Sequence, residues 1–248
     1  MGIFKQSSSK KAEEAFRIYQ QGIQAAQNRD SVTAVSLLEK AIAIMEEIGE
    51  NQGELVSRYQ LGALYIENQN FYQAELHLKK GLALAQELSK KSEQIDLNFM
   101  MGRCLRFSGN VQAAIPYLEE SASICRAVRE EKKLPSILNN LGLAYRHTHN
   151  PSKACLVYEE ALALPAAKAD PGMEGVILNN IAMTYLDMGN HAKTKENLLA
   201  ALPLRKRAGD IRGVAETLQN LVEFFTTIGD AVQADVYSKQ LQAMIGHS

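Results

Sequence analysis

An all-α solenoid of six helix pairs is predicted for this chain, and three observations predict it. Residue columns recur every 40 positions along the 248 residues. An Asp or Asn turn signature repeats in the same register. The composition is 46% hydrophobic yet only 6% aromatic, without Trp and rich in Ala and Leu, which favours helix over sheet.

Stepping by 40 from Gly22 gives Gly22, Gly62, Gly102, Gly142, Ala182 and Val222. Three positions on stand Ala25, Tyr65, Leu105, Tyr145, Tyr185 and Phe225. Twelve on stand Ala34, Ala74, Ala114, Ala154, Thr194 and Ala234. Sixteen on stand Leu38, Leu78, Leu118, Tyr158, Leu198 and Ser238, and nineteen on stand Ala41, Gly81, Ser121, Ala161, Ala201 and Leu241. Steps of three and four residues mark one helix face. Small residues let two helices approach, and bulky ones fill the space between them.

The elements follow in order. The first helices of the pairs (helices A) are expected at 12–27, 52–67, 93–107, 135–147, 172–187 and 212–227. Their partners (helices B) are expected at 31–48, 71–88, 111–129, 151–164, 191–207 and 231–245. Asp30, Asn70, Asn110, Asn150, Asn190 and Asp230 are the expected N-caps of helices B, since their side chains accept orphan N–H groups. Gly109, Gly189 and Gly229 precede three of these caps and suit a tight turn. Pro116 and Pro203 should bend their helices, and Pro165 should end one early. Residues 1–10 read as a polar, mobile tail ahead of a single solenoid over 11–248, with repeats at 11–50, 51–90, 91–130, 131–170, 171–210 and 211–248.

Several function classes lose support. The formal net charge of -1 lacks the basic surplus of a nucleic-acid binder. Cys104, Cys125 and Cys155 form no C-x-x-C pair and read as reduced, inert thiols of a cytoplasmic protein. There is no signal-peptide run and no apolar stretch of membrane-spanning length. The Gly2 segment resembles a myristoylation pattern, but Gln6 stands where Ser or Thr is required. His147 and His149 have no partner at metal-ligand spacing. No phosphate loop or G-x-S-x-G is present, so neither enzyme nor cofactor is expected.

The small, Tyr, Ala, Leu/Tyr and Ala columns resemble the tetratricopeptide repeat, in a long 40-residue form similar to the repeats of LGN and kinesin light chain. Segments such as 136–145 and 207–213 carry the likeness, which covers nearly the whole chain. It implies a right-handed solenoid whose helices A line a concave groove. The implied function is that of an adaptor or scaffold binding an extended segment of a protein partner.

Candidate binding residues follow from that placement. Asn140, Asn180 and Asn220 form a ladder, with Asn139 and Asn179 beside it. An amide donates and accepts at once, so it can pair with a peptide backbone whatever the sequence; the alternative is that these amides bridge neighbouring helices. Arg103, Arg106 and Arg146 suit carboxylates and hence an acidic partner, or else are solvated helix charge. Tyr59 and Phe99 could seat apolar side chains or close gaps between helices A. Ser136 and Asn139 are not lysines, so the carboxylate clamp of heat-shock co-chaperones is not expected. Rival readings are a peptide-sensing receptor, though the repeats fill nearly the whole chain, and a self-assembling structural protein. The final helix presents Val232, Val236, Tyr237, Leu241, Met244 and Ile245 with no following repeat, which suggests docking or a homodimer at that end.

Overall fold

The computed structural model describes residues 2–245, with side chains from Lys10 to Met244. The side chain of Ile245 and the end segment 246–248 lie outside the described residues. The helices are α1 (Gly2–Gln27), α2 (Ser31–Ile48), α3 (Asn51–Glu67), α4 (Phe71–Glu87), α5 (Lys91–Phe107) and α6 (Val111–Val128). They continue as α7 (Leu134–His147), α8 (Pro151–Ala163), α9 (Pro165–Ala169), α10 (Pro171–Asp187), α11 (His191–Arg207), α12 (Ile211–Thr227) and α13 (Ala231–Ile245). No strand occurs among the described residues. The architecture is the all-α, tetratricopeptide-type solenoid that the columns predict.

Most helix ends fall within two residues of expectation, because the punctuation is local. Asp30, Asn70, Asn190 and Asp230 accept hydrogen bonds from the N–H groups of Thr33, Gln73, Lys193 and Gln233 at 3.1, 3.3, 3.2 and 3.1 Å. The residue before each cap turns left-handed with the same period: Arg29, Gln69, Gly109, His149, Gly189 and Gly229 all have positive φ. A second left-handed series, Gly49, Ser89, Arg129 and Gly209, closes helices B.

Three differences stand out. The first helix begins at Gly2 rather than 12, because no Pro or Gly interrupts residues 3–12. Asn150 makes no side-chain cap; its amide donates back to Thr148 O at 2.8 Å. Pro165 ends α8 but also starts the short helix α9, since proline is pre-organised for a first turn. Pro116 and Pro203 lie inside α6 and α11, which run on past them.

The helices fall into two compact units, divided after Val128. In each unit the first small column receives the fourth bulky one. A Cβ added at Gly62 would stand 2.6 Å from Leu78, at Gly102 2.4 Å from Leu118, and at Gly142 2.4 Å from the Tyr158 ring. A side chain at any of these glycines would force the facing Leu or Tyr to shift. Two tyrosines of the second column tie their repeats to the one before: Tyr65 OH donates to Glu39 at 2.7 Å and Tyr185 OH to Glu159 at 3.4 Å. Desolvation, with the Glu39 hydrogen bond and charge adding to it, pushes the Tyr65 hydroxyl up to about 12.

Within each unit neighbouring helices A touch, α1 with α3 with α5 and α7 with α10 with α12. Helices B make no comparable contacts with one another among the described residues. Helices A therefore form the crowded inner side of each unit.

Candidate functional site

In the second unit the ladder asparagines stand on α7, α10 and α12, and their amides reach across the helix boundaries. Asn180 Nδ2 donates to Asn139 Oδ1 at 2.8 Å, and Asn220 Nδ2 donates to Asn179 Oδ1 at 3.0 Å. Each bond joins residues 41 apart, one repeat and one position, so the Asn-Asn doublets make the contact possible. Asn139 and Asn179 are buried, whereas Asn140, Asn180 and Asn220 are half-buried. Asn179, 1% exposed, makes three such bonds: it also donates to Glu216 Oε1 at 3.3 Å and accepts from Thr217 Oγ1 at 3.2 Å. Asn140 donates to Ser136 O at 2.9 Å within its own helix. The amides thus bridge helices, and what remains open is the outer carbonyl oxygen of Asn180 and of Asn220. Asn139 and Asn180 line an open hollow of about 380 Å³ together with Leu143, Val176, Arg212 and Glu216.

Arg146 is engaged too. Its Nε and Nη2 meet Asp187 Oδ2 and Oδ1 at 2.6 and 3.2 Å, a two-pronged pair from α7 to α10. The pair borders a hollow of about 540 Å³ with His147, His149 and Pro151.

In the first unit Arg103 and Arg106 stand on α5. The Arg103 guanidinium lies 5.8 Å from the ring centres of both Phe99 and Phe107, and its Nη1 contacts Met100 Sδ at 3.6 Å. Arg106 stacks on Phe107 at 4.5 Å. No carboxylate pairs with Arg103 among the described residues, so aromatic faces hold a charge that remains available to an acidic group. Phe99 is half-buried in this bracket. Tyr59 lines a cleft between α3 and α5 with Leu55, Val56, Glu93, Asp96 and Leu97, a gap-closing position.

Two buried arginines are absent from the sequence-based set. Arg58, 2% exposed, donates from Nε to Glu54 at 2.6 Å, pairs with Glu46, and meets His77 Nδ1 at 3.2 Å. Desolvation, with the Arg58 charge second, holds His77 below its ordinary value. Arg205, also 2% exposed, donates through Nη1 to Gly213 O at 2.7 Å and Glu216 Oε2 at 3.0 Å. In sequence it belongs to the basic run 205–207, which looks like a helix end facing water. Its column gave only a partial signal: 40-residue steps back from Arg205 meet Pro165, which is exposed, and then Cys125, Ala85 and Met45, which are buried.

The three thiols are buried, and desolvation pushes Cys104 up to about 11. On α13, Val232 is 73% exposed, yet Val32 and Tyr72 in the same column are 83% and 78% exposed although repeats follow them. Exposure at Val232 therefore belongs to the outer face of helices B rather than to the chain end. Tyr237 stacks on Phe225 at 5.5 Å, and Leu241 and Met244 pack on the core of the last pair. No helix among the described residues is long and apolar enough to cross a membrane.

Residues 94–166 match the family model described as Tetratricopeptide repeat. No curated protein sequence matches the chain. Among solved structures, the apo form of RapI matches 95% of this chain and 100% of its own, with a TM-score of 0.78 at 12% identity. A putative kinesin light chain from Podosopora anserina, with nearly identical TPR-like repeats, matches over 80% and 98%, with a TM-score of 0.68 at 19% identity. A Rap protein complexed with Competence and Sporulation Factor matches over 94% and 75%, with a TM-score of 0.63 at 12% identity. At such identities the likeness is one of fold.

Proposed function

Because the chain is a tetratricopeptide-repeat protein, with the family's sequence pattern over residues 94–166 and its helix-pair fold in both units, we propose that it is a cytoplasmic scaffold that holds an extended segment of a protein partner against helices A. The observation that carries this reading is the ladder of the second unit. Asn180 and Asn220 each spend the amide nitrogen on a neighbouring helix and leave the carbonyl oxygen unspent, that of Asn180 beside an open hollow. Half-buried, unspent acceptors on the inner side suit a ligand that brings N–H groups, as an extended peptide does. In the first unit Arg103, bracketed by Phe99 and Phe107, offers a separate site for an acidic residue. Stacked helix pairs of this kind offer an extended surface for binding.

Peptide-sensing regulation is the second reading. It is favoured by the match to RapI over that chain's full length, and by a Rap protein of the same fold that holds a bound factor. Both readings put the ligand on helices A.

Selection from a displayed random-peptide library tests the proposal. Peptides enriched on the wild-type chain should lose binding to Asn180→Ala with Asn220→Ala, and their affinity should fall with added salt if they are acidic. Peptides that bind the double variant as well as wild type would place the ligand elsewhere and end this reading.

A further inference from the structure

We propose that Arg205, on the outer helix α11, is a positioning residue that fixes which end of the ladder amides faces outward at α12, so that Asn220 presents an acceptor and takes a hydrogen-bond donor from its ligand. Burying a guanidinium costs several kcal/mol that an ion pair repays only partly, and the same column holds uncharged residues in the earlier repeats, Met45, Ala85, Cys125 and Pro165. Arg205 Nε makes no hydrogen bond. Stability alone does not explain the residue.

The neighbourhood is built around it. A Cβ on Gly175 would stand 2.8 Å from Arg205 Cγ, and one on Gly213 2.7 Å from Arg205 Nη1. Two glycines on α10 and α12 thus open the slot. The guanidinium anchors Glu216 Oε2 at 3.0 Å, although Glu216 is itself 55% exposed. The anchored carboxylate then imposes a sequence of directions. A carboxylate only accepts, so Asn179 turns its Nδ2 toward Glu216 Oε1. Asn179 Oδ1 is thereby aimed at Thr217 and Asn220. Asn220 must answer a carbonyl with its Nδ2, which leaves its own Oδ1 outward. Without a fixed acceptor-only group, each amide could rotate end for end at little cost.

The inference rests on the scaffold reading only in treating this face as a ligand surface. The polarity is tested on the free full-length protein, so failure of one is distinguishable from failure of the other. The readout is the side-chain ¹⁵N–¹H amide signals of Asn179 and Asn220, assigned by loss of signal in Asn179→Ala and Asn220→Ala. Wild type and Glu216→Asp, which keeps a carboxylate, should each show a single pair for Asn220. Arg205→Met, whose new side chain suits the column, should release Glu216 and give Asn220 two pairs or one clearly moved pair. Glu216→Gln should do the same, and Arg205→Met with Glu216→Gln repeats the test without leaving a buried charge unpaired. A single, unmoved Asn220 pair in Arg205→Met and in the double variant overturns the proposal.

Discussion

Arg146 on α7 grips Asp187 on α10 with two parallel hydrogen bonds, Nε to Oδ2 at 2.6 Å and Nη2 to Oδ1 at 3.2 Å. An arginine that the sequence offers to an acidic partner is therefore already supplied with a carboxylate from the next repeat. The pair lies at the surface, with side chains 22% and 45% exposed, so it is a weak lock that a ligand carboxylate can compete with.

Asp187→Asn should free Arg146. Acidic peptides selected on the wild-type chain should bind this variant about fivefold more tightly, the equivalent of about 1 kcal/mol. Titration calorimetry at low and high salt reads the effect. Unchanged affinity at low salt would remove Arg146 from the binding surface.

Asn179 and Asn140 should part company in stability. Asn179→Ala strips partners from Glu216, Thr217 and Asn220 and should cost about 1–3 kcal/mol, seen as a lower urea midpoint. Asn140→Ala loses the bond to Ser136 O in a half-buried position and should cost less. Equal midpoints would contradict the buried-network description.

Gly142→Ala should be the harshest of the first-column substitutions. The new Cβ meets the Tyr158 ring at 2.4–2.8 Å, and a buried aromatic ring has no soft rotamer to retreat into. Overpacking of this kind costs about 1–3 kcal/mol. Gly22→Ala, whose nearest atom is Leu38 Cγ at 3.0 Å, should be milder. A melting-temperature comparison of the two variants decides it.

Acid should weaken the first unit through His77. Desolvation, then the Arg58 charge, hold its folded value below the ordinary 6.5, with Lys80 acting in the same direction and Glu39 and Glu46 opposing. The unfolded chain therefore binds the proton first. The contribution is intact above about pH 6.5 and is lost as pH falls from there toward the lower folded value. Unfolding midpoints of wild type and His77→Gln from pH 7.5 to 5 check this. The variant should show the shallower loss, and parallel curves would exclude a role for His77.

The sequence by itself determined the helices, the pair count and the spacing of the turns. Each is a local property repeated every 40 residues: an Asp or Asn cap, a left-handed residue before it, and a small residue opposite a bulky one. It also chose the helices that carry the ladder, because Asn139-Asn140 and Asn179-Asn180 share a register. It did not decide how those amides are used. Asn179 and Asn180 are the same residue type one step apart, yet the first is buried among Glu216, Thr217 and Asn220 while the second borders an open hollow. Nor did it separate Arg205 from Lys206 and Arg207, which continue the same basic run. Their fates depend on which face of α11 meets Gly175 and Gly213, residues that lie far from the run's neighbours on its own helix. Hydrogen-bond direction and charge burial are set by groups brought together across helices, and only the tertiary structure brings them together.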